Sequence, residues 1–127
     1  MMGLKMETLN VMVVDDSMLA TQVLKSALEE LGHKVVGTAA TGAAALVAYE
    51  SCNPDLVTMD ITMPDMDGIQ ATEKIVQSYP DARVIMVTSH AQKSMVMDAL
   101  RVGAKGYILK PIKPDKLRTA LAQVIEM

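Results

Sequence analysis

The sequence predicts an α/β protein built around one open, doubly wound sheet of five parallel strands with helices on both faces. Five short apolar runs alternate with five segments of helical periodicity along the 127 residues. An unbroken apolar run is typical of a strand that is buried on both faces. Right-handed crossovers between parallel strands place the intervening helices on both sides of the sheet. Five units are too few to close the ring of eight strands in an α/β barrel, and the length is that of one domain.

The first two units occupy the amino-terminal part of the chain. Residues 11–14 form the first predicted strand, Ser17 is the predicted N-cap of the next helix, and Gly32 ends that helix. The apolar positions that recur at helical spacing in this helix are Leu19, Val23, Leu24, Ala27, Leu28 and Leu31. Residues 35–40 form the second strand, whose glycine and neighbouring lysine indicate a sheet edge. An alanine-rich helix over residues 41–51 follows.

The remaining three units repeat the pattern. Residues 56–59, 84–87 and 107–109 form the third, fourth and fifth predicted strands. The helix after the third strand follows a proline- and glycine-containing loop and ends near residue 78, and the next helix covers about residues 92–102. The apolar face of the last helix consists of Leu117, Leu121, Val124 and Ile125.

The composition narrows the class of protein. The chain has no Phe, no Trp and only three Tyr, so its 12 Met residues are expected to fill the core where rings are missing. The single cysteine, Cys52, excludes an internal disulfide and a cysteine-rich metal cluster. The net charge of −3 does not favour binding to nucleic acid. Because no apolar run is long enough for a membrane helix or a signal peptide, we expect a cytoplasmic protein.

Polar residues interrupt the apolar pattern where the strands end. Asp15 and Asp16 follow the first strand, Asp60 the third, Thr88 the fourth and Lys110 the fifth. In open parallel sheets, ligands bind at the carboxyl ends of the strands. Three carboxylates in one crevice repel one another, so a divalent cation such as Mg²⁺ is the expected compensation. An aspartate nucleophile beside a metal, a lysine and a hydroxyl is suited to phosphoryl transfer.

Each of these residues has an ordinary explanation when it is considered alone. An aspartate or threonine at the end of a strand often caps the next helix, and a lone lysine there can be a solvated charge. Five such residues at the ends of neighbouring strands favour a common site over five unrelated explanations.

The sequence resembles the receiver domain of two-component response regulators over essentially its whole length. The matching segments are residues 13–17, 59–68, 87–89 and 106–111. The resemblance implies a flavodoxin/CheY-like (βα)5 fold with strand order 2-1-3-4-5. It also implies a single receiver domain over residues 1–127, with a core of about 9–126. Residues 57–64 are most similar to CheY-type chemotaxis regulators.

The resemblance implies a phosphorylation-activated signalling switch. Asp60 is implied to accept a phosphoryl group from a phosphohistidine of a sensor histidine kinase. Asp16, Asp60 and the backbone carbonyl of Thr62 are implied to bind Mg²⁺ or Mn²⁺, and Asp15 to act largely through a bound water. Such a domain is not an enzyme, apart from Mg²⁺-dependent self-phosphorylation and self-dephosphorylation.

Further residues are implied to respond to phosphorylation. Thr88 and Lys110 are implied to bind the phosphoryl oxygens, and Tyr107 is the implied switch residue that turns inward as Thr88 moves toward the phosphoryl group. The Lys110–Pro111 peptide bond is expected to be cis, a geometry that only proline makes readily accessible.

Two positions are implied to modulate the lifetime of the phosphoryl group. Thr62 and His90 correspond to variable positions that flank the attacking water in related domains. Because imidazole titrates near neutrality, one hypothesis is that His90 makes this lifetime depend on pH, and the favoured alternative is an exposed loop histidine with no role. His33, which follows Gly32, is predicted to be a solvated loop residue.

The resemblance also implies protein partners. Met97, Tyr107 and Ile112 are predicted to form a partner-binding face, which related regulators use to bind a motor switch protein or to dimerise. We expect a monomer that binds a sensor histidine kinase, a downstream target such as a flagellar motor switch protein, and a phosphatase. Neither nucleic acid nor a membrane is an expected partner.

Three alternative functions are compatible with parts of the pattern. A phosphatase of the haloacid dehalogenase type also uses a strand-end aspartate with Mg²⁺, but it needs a second aspartate where Thr62 stands. A flavodoxin-like FMN carrier shares the fold, but Asp15 and Asp16 would repel the FMN phosphate. A phosphorelay shuttle, or a receiver that forms part of a larger regulator, fits the same residues.

Overall fold

Strands and helices alternate along residues 8–89 and 92–126, the part of the chain that this computed structural model describes. The strands are β1 (Asn10–Val14), β2 (Lys34–Ala39), β3 (Leu56–Asp60), β4 (Val84–Thr88) and β5 (Gly106–Leu109). The helices are α1 (Met18–Glu30), α2 (Gly42–Cys52), α3 (Gly68–Ser78), α4 (Lys93–Arg101) and α5 (Pro114–Ile125). The strands pair in parallel in the order β2-β1-β3-β4-β5, which confirms the predicted sheet. Within these residues, no helix combines the length and the apolar character needed to cross a bilayer.

Two apolar layers cover the sheet, one on each face. On one face, side chains of β1, β3 and β4 pack with those of α2, α3 and α4. On the other face, alternate residues of the same strands pack with α1 and α5, and we call this the α1/α5 layer. In β1, Met12 and Val14 belong to the first layer, whereas Val11 and Val13 belong to the α1/α5 layer. Because side chains alternate along a strand, a strand covered on both faces requires an unbroken apolar run.

Methionine fills the centre of the layer under α2, α3 and α4, as the composition predicts. Met12, Met59 and Met86 lie on adjacent central strands and are at most 1% exposed. Met59 and Met86 are direct neighbours in the register of β3 with β4. The unbranched thioether side chain adapts to irregular gaps, so the layer closes without phenylalanine or tryptophan.

Short polar side chains begin the first three helices. The Ser17 hydroxyl accepts a hydrogen bond from the backbone of Ala20, which confirms the predicted N-cap of α1. Thr41 caps α2 in the same way, and Asp67 caps α3 in a reciprocal capping box with Gln70. These bonds satisfy amide groups that have no partner inside a helix. Each helix therefore starts at a defined residue close to the carboxyl end of a strand.

The apolar pattern of α1 is wider than the face that packs on the sheet. Leu24 and Leu28 are buried in the α1/α5 layer, whereas Leu19 is 76% exposed and Val23 is 48% exposed. The prediction of the helix is correct, but its first two apolar positions do not enter the core. The residues lie on the flank of the helix, where they line a shallow groove with Ile112 beside the carboxyl ends of the strands.

The prediction that His33 is a solvated loop residue is wrong. The side chain is only 6% exposed, and its Nδ1 atom accepts a 3.1 Å hydrogen bond from the backbone N–H of Leu9. Gly32 has a φ of +91°, a left-handed conformation that suits glycine, and it turns the chain back toward the start of β1. Burial lowers the pKa of His33 below its ordinary value.

The hydrogen bond to His33 predicts a pH-dependent contribution to stability. The unfolded chain protonates this imidazole near pH 6.5, whereas burial disfavours the charged imidazole in the folded chain, and a protonated Nδ1 could not accept from Leu9. The contribution of His33 to the free energy of unfolding is therefore fully present above pH 6.5 and decreases as the pH is lowered below that value. Urea unfolding as a function of pH measures this slope, and His33→Asn, which keeps an acceptor but does not titrate, should lose it.

The control for this prediction is His33→Leu, which leaves the buried amide of Leu9 without an acceptor. This variant should be less stable than the wild type at neutral pH by about 1–3 kcal/mol. If both variants kept the pH slope of the wild type, His33 would not be its source.

Candidate functional site

Three carboxylates meet at the carboxyl edge of the sheet. Asp15, Asp16 and Asp60 each place a carboxylate oxygen within 4.8 Å of the others. Asp15 and Asp60 are 6% and 7% exposed, whereas Asp16 is exposed. The structure thus brings together the three aspartates that the strand ends predict, with two of them held in a poorly solvated position.

Lys110 is the cation beside these carboxylates. Its Nζ atom lies 2.8 Å from Oδ2 of Asp15 and 3.8 Å from Oδ1 of Asp60. Its backbone N–H donates to the carbonyl of Thr88 at the end of β4, which fixes the start of the loop after β5. The Lys110–Pro111 peptide bond is cis, as the resemblance implied.

Hydrogen bonds hold Asp15 more tightly than Asp16. Oδ1 of Asp15 accepts from the backbone N–H of Ser17, and Oδ2 accepts from Lys110, each at 2.8 Å. The backbone N–H of Asp15 donates to Ala39 on β2. Both carboxylate oxygens of Asp15 therefore have protein partners, which is consistent with its implied indirect contact to a metal through water.

The electrostatic balance around Asp60 disfavours its ionised form. Burial, followed by repulsion from Asp15, raises the pKa of Asp60 to about 6. Attraction to Lys110 opposes this rise, as does a hydrogen bond from the backbone of Thr62. One lysine among three carboxylates leaves excess negative charge, and a hard divalent cation with oxygen ligands fits this donor set.

The loop after β3 depends on a close backbone contact at Gly68. A β-carbon on Gly68 would lie 1.9 Å from the carbonyl oxygen of Asp60. The backbone N–H of Gly68 donates a 2.7 Å hydrogen bond to the carbonyl of Ile61, whose side chain is buried. The loop is thereby held against the end of β3, with the Thr62 side chain exposed at the rim of the site. Sequence reasoning did not identify Gly68 as a site residue, although its position at the start of α3 was a signal.

Thr88 and Tyr107 lie beyond the carboxylates toward β5. Thr88 is 1% exposed and follows Val87, the register partner of Asp60. Tyr107 on β5 is 47% exposed and is the register partner of Met86. Thr88 is therefore next to the site, whereas the Tyr107 ring is on the outside of the molecule. The switch roles of both residues remain predictions.

The residues predicted as a partner-binding face lie in different surroundings. Met97 on α4 is 53% exposed. Tyr107 lines a groove with Leu109 between β5 and α5. Ile112 packs against the α1/α5 layer and lines the separate groove beside Leu19. Met97 and Tyr107 are available to a partner, and Ile112 is partly buried. His90 lies outside the described residues.

Burial and the crowding of carboxylates predict that Asp60 destabilises the metal-free protein when it is ionised. Because the pKa of Asp60 is raised, this side chain does not lower the free energy of unfolding below pH 3.8, where it is protonated in the folded and the unfolded chain. The free energy of unfolding decreases as the pH rises through about 6 and Asp60 ionises. Asp60→Asn removes this penalty, so in EDTA at neutral pH the variant should be more stable by up to about 3 kcal/mol. Urea unfolding measures the difference, and Mg²⁺ should narrow it by stabilising the wild type.

The matched control for Asp60→Asn is Asp81→Asn. Asp81 is an exposed carboxylate before β4, at the opposite end of the sheet. This variant should not alter stability in EDTA or the response to Mg²⁺. Equal effects of the two variants would contradict the predicted role of charge crowding.

The close contact at Gly68 predicts that Gly68→Ala displaces the loop after β3. The added methyl group cannot fit beside the Asp60 carbonyl, so we expect a loss of about 1–3 kcal/mol in the free energy of unfolding and weaker Mg²⁺ binding. Gly106→Ala is the control, because its β-carbon would meet Val124 at an ordinary 3.6 Å. Urea unfolding and titration calorimetry with Mg²⁺ measure both effects. A wild-type response from Gly68→Ala would show that the loop adapts freely.

Known proteins share this fold and sequence pattern. Residues 11–122 match the family model described as the response regulator receiver domain. The chemotaxis protein CheY of Bacillus subtilis is 43% identical over 115 residues, which are 91% of this chain and 96% of that protein. CheY of Thermotoga maritima is 40% identical over 114 residues, 90% of this chain and 95% of that protein. The uncharacterized transcriptional regulatory protein YhcZ of Bacillus subtilis is 50% identical over 84 residues, 66% of this chain but 39% of that protein.

Solved structures agree with the sequence relatives. A CheX–CheY–BeF3–Mg²⁺ complex from Borrelia burgdorferi contains a chain with a TM-score of 0.88 and 37% identity, covering 91% of this chain and 88% of that one. A LuxR-family response regulator from Aurantimonas has a TM-score of 0.90 and 32% identity, covering 94% and 86% of the two chains. The chain therefore belongs to the response regulator receiver domain family.

Proposed function

We propose that this protein is a phosphorylation-activated switch of a two-component system, with Asp60 as the residue that accepts the phosphoryl group. The observation that supports this most directly is the position of Asp60. It is buried at the carboxyl edge of the sheet, within 4.8 Å of Asp15 and Asp16 and 3.8 Å from Lys110. This is a nucleophile surrounded by groups that can bind a cation and an anion.

The proposed reaction is transfer from a phosphohistidine of a sensor histidine kinase. An Asp60 carboxylate oxygen attacks phosphorus, an O–P bond forms, and the P–N bond breaks. The bonding electrons go to the imidazole nitrogen, and a proton already on the ring or taken from water leaves the histidine as a neutral imidazole. Water later attacks the acyl phosphate, which returns the Asp60 carboxylate and inorganic phosphate. This self-phosphorylation and self-dephosphorylation is the only catalysis that we propose for the protein.

The residues around Asp60 fit a divalent cation. Asp16, Asp60 and the Thr62 carbonyl would hold Mg²⁺ or Mn²⁺, and Asp15 would contact it through water. When bound, the ion neutralises charge that accumulates on the phosphoryl oxygens. Asp15 already has hydrogen-bond partners for both oxygens, and Asp16 is exposed and free to turn.

Lys110 and Thr88 would bind the oxygens of a phosphoryl group on Asp60. Lys110 is closer to Asp15 than to Asp60, and a phosphoryl group on Asp60 adds acceptor oxygens that attract its ammonium group. Thr88, buried one residue beyond the register partner of Asp60, would donate its hydroxyl to the same group. Movement of Thr88 would let the exposed Tyr107 ring turn inward, and Thr62 and His90 would adjust the rate of hydrolysis.

The output would be the binding of another protein. The relatives named as chemotaxis proteins support a role in chemotaxis. A flagellar motor switch protein is the target that we propose for that role. The CheX–CheY complex supports binding of a second protein partner. We propose that this partner is a phosphatase. Met97 and Tyr107 would contact the target. We propose a cytoplasmic monomer with one receiver domain and a core of about residues 9–126.

A receiver that works within a larger regulator or a phosphorelay is the second candidate. The match to YhcZ covers only 39% of that protein, so similar receivers also occur in longer chains. A haloacid dehalogenase-type phosphatase is less consistent with the site, because Thr62 stands where that class needs a second aspartate.

Labelling with a small phosphodonor tests the proposed function. With Mg²⁺ and acetyl phosphate, the protein should gain one phosphoryl group that is stable in acid and labile in base, detected by mass spectrometry of the intact chain. Asp60→Asn should abolish the adduct and Asp81→Asn should retain it. EDTA should prevent labelling. A wild-type chain that gains no phosphoryl group, or an Asp60→Asn variant that labels like the wild type, would refute the proposed switch.

A further inference from the structure

Thr58 places a hydroxyl in the interior without an evident use. The residue lies on β3 and is 1% exposed. Within residues 8–89 and 92–126, its Oγ1 atom is the one buried side-chain nitrogen or oxygen that has no hydrogen-bond partner. Such a group destabilises the folded state because it loses its hydrogen bond to water. Valine has nearly the same shape and would avoid this penalty, so the hydroxyl requires another explanation.

The neighbours of Thr58 across the sheet offer nothing to its hydroxyl. Its register partners are Val13 on β1 and Ile85 on β4, and both belong to the apolar α1/α5 layer. Leu56, two residues earlier on the same face of β3, belongs to this layer too. Packing on three sides is therefore apolar, and the shape of threonine alone would satisfy it.

On its fourth side, Thr58 faces the carboxyl edge of the sheet, where the carboxylates of the site lie. Side chains two residues apart in a strand point to the same face, so Asp60 follows Thr58 in this row at a distance of roughly 7 Å along β3. Val14 and Met59 are register partners, which places Asp15 opposite Asp60 in the row above Thr58. The nearest polar groups on this face are thus the two buried carboxylates of the site.

We propose that Thr58 is a positioning residue for the phosphoacceptor, with its hydroxyl joined to the Asp60 carboxylate through one buried water molecule. The proposal rests on the proposed phosphorylation of Asp60. Two hydrogen bonds of about 2.8 Å through a water reach about 5.6 Å, so the link requires the hydroxyl and the carboxylate to lean toward each other across the roughly 7 Å between their rows. Buried waters occur where at least two polar groups share them, and Thr58 and Asp60 meet this condition.

This link would restrict the rotation of the nucleophile. The terminal torsion of aspartate has a broad energy profile, so a carboxylate held by few contacts samples many orientations. The water-mediated hydrogen bond from Thr58 occupies one lone pair of the Asp60 carboxylate. The remaining lone pairs are then directed toward Lys110 and the incoming phosphorus. Holding the attacking oxygen in a reactive orientation accelerates the transfer.

Thr58→Val separates this role from packing. We expect labelling by acetyl phosphate that is about tenfold slower at saturating Mg²⁺, with a urea midpoint of unfolding in EDTA close to that of the wild type, because valine keeps the shape of the packed side chain. Thr58→Ser keeps the hydroxyl and should label at the wild-type rate. The matched control is Thr72→Val, because Thr72 is a fully buried threonine on α3 whose hydroxyl contacts Met86 in the other apolar layer. Its labelling rate should not change.

The outcomes distinguish the two proposals. A Thr58→Val variant that labels at the wild-type rate overturns the role of Thr58 and leaves the proposed function intact. Equal slowing in Thr58→Val and Thr58→Ser also overturns it, because the methyl group rather than the hydroxyl would then matter. A wild-type chain that acetyl phosphate does not label overturns the proposed function and the role of Thr58 together. Slow labelling of Thr58→Val, with rescue in Thr58→Ser and a urea midpoint close to that of the wild type, supports the positioning role.

Discussion

Repulsion among the carboxylates at the end of the sheet is the constraint to which the rest of the site responds. Asp15 and Asp60 come from adjacent strands, and the ladder between β1 and β3 prevents them from moving apart. Lys110 reaches them from β5 through the fixed loop after that strand and offsets part of the charge. Burial and the remaining excess of negative charge raise the pKa of Asp60, and the excess makes the site receptive to a cation.

A rigid sheet is what makes such crowding possible. The central strands β3 and β4 are buried along their whole length, and apolar layers cover both faces. Close contacts such as that of Gly68 with the Asp60 backbone leave the loop after β3 little freedom. The fold therefore holds an ionised Asp60, which lowers its stability, and a Thr58 hydroxyl that has no direct protein partner within the described residues. Stability lost at a site that needs such groups is a common compromise in proteins.

Most of the fold and the members of the site could be predicted from the sequence because they depend on local patterns. Apolar runs and helical spacing identified each element, and the polar residues after them marked the strand ends. Contacts between residues that are distant in the sequence were harder to predict. Leu19 and Val23 share the helical spacing of Leu24, yet only the packing of α1 shows which residues reach the sheet. His33 looked like a loop residue because its partner, the amide of Leu9, is remote in sequence.

The sequence by itself determined the order of elements, the residues at the strand ends and their chemical type, because each follows from periodicity and from the identity of single residues. Tertiary structure alone decided how these groups interact. The short contact of Lys110 with Asp15, the exposure of Asp16, the close approach of Gly68 and the isolation of the Thr58 hydroxyl depend on register and on packing. These properties arise between segments that are distant along the chain, and no local pattern records the distances between them.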